Sequence, residues 1–216
     1  MKLSYRTAGW SAISSGITGI MAILLLIGYL SLRGSSTDNG EFLTWLYSAG
    51  VLLEFTLLIP AIIGLYQFSQ RMPPGISKAL FNSWIGSIFF VIISLLLLFP
   101  KIVSDVFYMF PEGVFGGLLI ACNLRLQGLV PRGLLWLGMV VGAGFILLGM
   151  FPLGFALFVD KASMQIPAVA PKEFPMNSAN VVLHYFLFAG SIMGVLLLPL
   201  WAILIGRKLL KEIITT

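Results

Sequence analysis

The chain reads as an all-α, polytopic transmembrane helix bundle of six spans with both termini cytoplasmic. Three observations point there. Hydrophobic residues make up 59% of the 216 positions and charged residues only 10%, against about 25% charged in an ordinary soluble domain. Mean hydropathy is +1.02. The apolar residues also gather into six segments, each near the roughly 20 residues needed to cross hydrocarbon as a helix. A single integral membrane domain covering residues 1–216 is expected. The formal net charge of +5 is scattered through short connections and not gathered on a soluble face, so nucleic acid is not a partner.

The first span runs from about Trp10 to Leu30. Lys2 and Arg6 precede it like the basic start of a signal peptide. Its apolar run exceeds a signal core, and no small-residue cleavage motif closes it, so a retained helix is expected. The second span covers Leu46 to Phe68 and the third Ala79 to Phe99. The fourth, Val106 to Leu124, is interrupted by Pro111 and Glu112. Gly133 to Phe158 forms the fifth and Val181 to Ile205 the sixth.

Basic residues orient these spans. With the N-terminus inside, nine fall on the cytoplasmic side: Lys2, Arg6, Arg71, Lys78, Arg125, Arg132, Arg207, Lys208 and Lys211. Four fall outside: Arg33, Lys101, Lys161 and Lys172. That bias follows the positive-inside rule and places the protein in a membrane of bacterial cytoplasmic type. Counting the fourth span is needed to keep Arg125 and Arg132 inside. Of the outer connections, Ser31–Thr44 carries a predicted turn at Asn39-Gly40. The stretch Asp160–Ala179 contains Pro167, Pro171 and Pro175, which exclude one long helix.

Small residues at four-residue spacing predict close helix contacts. They are Ser11, Ser15 and Gly19; Gly113, Gly117 and Ala121; Gly138 and Gly142; Gly190 and Gly194. Pro60, Pro152 and Pro199 fall inside spans and predict kinks, each freeing a carbonyl one turn earlier. Three spans per half would give two halves of opposite orientation, as in some transporters.

Ionisable residues inside spans are costly and mark candidate sites. There are three: Glu54, Glu112 and His184. At 1.5 Å per residue, Glu54 falls roughly 12 Å, Glu112 about 9 Å and His184 about 5 Å below the outer boundary. Together they would suit proton relay or acid–base work. A metal site is not expected, because there is no Glu-x-x-His pairing and no second histidine. Each also has a plain structural reading. Glu54 would hydrogen-bond Ser14 or Ser94, Glu112 would sit in the first turn of a shortened fourth helix, and His184 with Tyr185 would face headgroups. Cys122 is the lone cysteine and reads as a buried thiol. No phosphate loop, nucleophile elbow or H-E-x-x-H occurs, so the sequence specifies neither a cofactor nor catalytic residues.

From Asn123 to Gly138 the chain reads Asn-Leu-Arg-Leu-Gln-Gly-Leu-Val-Pro-Arg-Gly-Leu-Leu-Trp-Leu-Gly. The run Gly128, Pro131-Arg132 and a Gly-containing span resembles a bacterial family of six-helix membrane proteins of unknown function. The resemblance implies a six-helix membrane fold and no activity. The motif has a physical logic, since Pro131 can open the fifth helix while Arg132 anchors it.

Three functions compete on this reading. One is proton-linked or small-molecule transport or binding centred on Glu54. Another is a membrane-embedded enzyme acting on a lipophilic substrate with Glu54 and Glu112 as acid and base. The third is an accessory subunit whose Gly-rich faces dock other helices. The expected partners are the lipid bilayer and either further copies of the chain or subunits of a membrane complex.

Overall fold

The computed structural model describes residues 4–32, 39–71, 74–98, 105–158 and 178–212. Among them are six helices and no extended strand. They are α1 (Tyr5–Leu32), α2 (Asn39–Ser69), α3 (Lys78–Leu98), α4 (Asp105–Arg125), α5 (Arg132–Phe158) and α6 (Ser178–Lys211). All but α4 are long and apolar enough to cross a membrane. Pro111, Glu112 and Asn123 dilute the apolar character of α4, yet its 21 residues span about 31 Å. The predicted Pro-rich connection lies almost wholly outside the described residues.

The start of α2 departs furthest from the sequence expectation. α2 begins at Asn39, so Asn39-Gly40 opens a helix where a turn was predicted. Glu54 consequently stands at the middle of this 31-residue helix and not in its outer part. Pro60, Pro111 and Pro152 lie inside continuous helices. Only Pro199 is attended by a break in regular α geometry among the described residues. α6 is π-helical over Ser191–Leu196 and resumes as α-helix at Leu198, with Pro199 in the first turn. A proline cannot donate a ladder bond, so the wider π turn absorbs the fault there.

Each helix packs against its neighbours in sequence, and α6 returns to pack on α1. The six therefore form a closed ring. Where helices approach, glycines allow it. A Cβ on Gly113 would stand 2.7 Å from the Cα of Gly149, and one on Gly116 would stand 2.5 Å from the Gly142 carbonyl oxygen. Gly190 and Gly194 meet α5 at Gly144, and Gly206 meets Gly9 of α1. Gly117, expected in the α4 seam, faces open space instead. The α4 stripe runs through Gly113 and Gly116, one turn of the helix at a spacing of three.

The ring interior is filled by Phe55, Phe115 and Phe145 from α2, α4 and α5. They meet edge to face with centroids 5.3, 6.3 and 5.6 Å apart, the arrangement favoured by ring quadrupoles. Both described ends lie on one face. Arg71 Nη1 pairs with Glu212 at 2.9 Å, Lys208 also pairs with Glu212, and Tyr5 packs on Phe68.

Candidate functional site: two carboxyls inside the helix ring

The serine stripe of α1 builds the first half of the site. The Ser15 hydroxyl donates to the Glu54 carbonyl at 3.0 Å and Ser11 donates to that of Leu57 at 2.7 Å. These bonds set the register of α2 on α1. They turn the Glu54 side chain onto Gly19, where any Cβ would overlap the carboxyl and also meet the Pro199 ring at 2.7 Å. The absent side chain of Gly19 is therefore what makes room for Glu54 beside the π-to-α junction of α6.

Glu54 is only 5% exposed and its Oε1 has no hydrogen-bond partner. The serines proposed from sequence to satisfy it do not do so. Ser14 is exposed, and Ser94 is buried without a bond to Glu54.

Glu112 forms the second half. It does not open a shortened helix, since α4 begins seven residues earlier at Asp105. It is 3% exposed and lies on the α4 segment that Gly113 locks to α5. Phe115, one turn on, packs against Phe55, the residue next to Glu54. Glu54 and Glu112 thus flank one aromatic contact between α2 and α4. No ion pair to either acid occurs among the described residues. A buried acid without a basic partner is rare because its charge is poorly solvated.

His184 is not part of this centre. It stands exposed near the start of α6, its ring edge-on to Phe151 of α5 at 6.2 Å. Its Nδ1 lies 2.8 Å from the Asn180 carbonyl, which can only accept, so Nδ1 carries the proton. Tyr185 beside it is 69% exposed. Both side chains are exposed near the start of α6. Among the described residues no three His, Cys, Asp or Glu side chains gather as a metal would require.

Two contributors escaped sequence reasoning. The π turn has no composition signal apart from Pro199. The aromatic trio could have been suspected only from Phe55 and Phe115 lying next to, and one turn after, the two acids. Comparison with known protein families, characterised proteins and solved structures finds no match to this chain.

Proposed function

We propose that the protein is a proton-linked membrane transport or binding protein whose proton-carrying centre is the Glu54–Glu112 pair. The observation that supports this is that both are buried inside the ring on either side of the Phe55–Phe115 contact, with no ion pair among the described residues. Carboxyls in a poorly solvated interior favour the neutral, proton-bearing form, so uptake and loss of a proton there can be tied to a change in their surroundings. The unpartnered Oε1 of Glu54 offers that proton a seat. The π turn beside it supplies a helix segment able to change geometry with little loss of bonding, a feature frequent at functional sites. The expected setting is the cytoplasmic membrane, with both chain ends inside according to the basic residues. The partial resemblance of residues 123–138 to a six-helix family agrees with that setting and adds no activity.

An embedded acid–base enzyme would use the same pair, but it needs the two carboxyls in contrasting surroundings. Here both are buried against apolar and glycine-rich helix surfaces. The test is pH-difference infrared spectroscopy of the protein in liposomes, together with proton flux across the vesicle wall. Wild type should show a protonated-carboxyl band that titrates, reduced in Glu54→Gln and in Glu112→Gln, with flux lost in both. A band and a flux indifferent to both substitutions would reject the proposal.

A further inference from the structure

Apart from the acid pair, the α4–α5 connection combines charge, shape and apolar surface in a way packing alone does not need. Its backbone is built tightly. Leu126 and Val130 close the turn through bonds to Asn123 and Leu126, Gly128 takes φ 82°, and Pro131 accepts the first bonds of α5 from Leu134 and Leu135. A positive φ is the conformation glycine adopts without strain. This geometry brings Arg125 and Arg132 to either side of a six-residue turn, both exposed.

Among the described residues neither arginine has an ion-pair partner. The chain holds eight acids. On the orientation read from the sequence, Asp38, Glu41, Asp105, Asp160 and Glu173 fall toward the outer connections, while Glu54 and Glu112 are buried within the ring. Among the described residues Glu212 shares the face of this turn, and it is already engaged by Arg71 and Lys208. Two hollows open on the turn and share Gln127. One is bordered by Leu80, Leu124 and Arg125, the other by Arg132, Trp136 and Met139. Leu124 is 48% and Trp136 65% exposed, so each arginine stands at the head of an apolar strip. The first amides of α5 add a favourable dipole for an anion.

We propose that this turn is a binding site for an anionic phospholipid. Its phosphate is gripped by Arg125, Arg132 and Gln127, and its acyl chains lie along Leu124, Trp136 and Met139. The apolar strips beneath the arginines select a lipid over free phosphate, and the paired cations select an anionic over a zwitterionic headgroup.

The experiment is native mass spectrometry of the whole protein in mild detergent. It is titrated with phosphatidylglycerol, with phosphatidylcholine, or with phosphatidylglycerol plus inorganic phosphate. Arg125→Gln and Arg132→Gln each leave eight basic residues inside against four outside, counted from the nine and four of the sequence, so orientation is kept. Each should weaken phosphatidylglycerol retention about fivefold. Arg207→Gln, an exposed charge on the same face, should change it less than about twofold. Equal weakening by Arg207→Gln would mean a general basic surface and overturn the site. So would equal retention of phosphatidylcholine, or no retention of either lipid. Displacement by millimolar inorganic phosphate would assign the turn to the free ion and overturn the lipid.

Discussion

The α1–α2 and α4–α5 seams are both close helix contacts, made by different means. Between α1 and α2, hydroxyls of Ser11 and Ser15 cross to the partner backbone, and Ala8 and Ala22 oppose Gly64 and Gly50. Between α4 and α5 the backbones themselves touch, Gly113 on Gly149 and Gly116 on Gly142. Asn123 at that seam donates within its own helix to Leu119 and only leans its amide on Gly138. In lipid no hydrophobic force draws helices together, so a seam depends on dispersion at contact distance and on hydrogen bonds. The first seam has both terms, and the second has mainly the first. Glu54 thus sits on a seam with directional ties, Glu112 on one held by shape.

The contrast is broken most severely at a glycine where backbone meets backbone. Gly149→Leu places a side chain where the Gly113 backbone lies and should cost about 2–3 kcal/mol of unfolding free energy in detergent. An unchanged denaturation midpoint would show that α4 and α5 do not meet there. A sharper test compares adjacent positions. Gly116→Ala, aimed at the Gly142 carbonyl, should destabilise by about 1–2 kcal/mol. Gly117→Ala, facing open space, should be neutral or stabilise by up to about 1 kcal/mol through helix propensity. Reversed signs would put the α4 seam on the face read from sequence.

The smallest effect belongs to the serine seam. Ser15→Ala removes one buried hydroxyl bond and should cost about 0.6 kcal/mol, the average for such bonds in membranes. Ser14→Ala, on an exposed face, should leave the same thermal-stability curve unmoved. Equal losses from the two would remove the directional tie from the comparison.

How much was legible can be argued residue by residue. The helices of membrane length appear where apolar runs were read, and the Ser11, Ser15, Gly19 stripe does face α2 and the Glu54 site. Glu54 and Glu112 were both visible as polar residues in apolar runs. Their burial on either side of one aromatic contact was not visible, nor was the departure of His184 to an exposed face, because three residues at similar depth can point to three different neighbours. Gly117 failed for the same reason. One residue along a helix turns the side chain by about 100°, so Gly116 and Gly117 face different surroundings at the same depth.

The sequence by itself determined the class of the molecule, the helices and their alternation, because insertion into hydrocarbon is nearly a sum over residues along the chain. It also concentrated basic residues in the connections that end on one face. Tertiary structure alone decided which helices touch and which ionisable side chains are buried between them. It also decided that the fault at Pro199 becomes a π turn beside Glu54. Those outcomes depend on the rotation of each helix about its axis. Rotation is chosen by differences of a few tenths of an ångström in the fit of glycines, serines and aromatic rings on different helices, and no sum along one helix contains them.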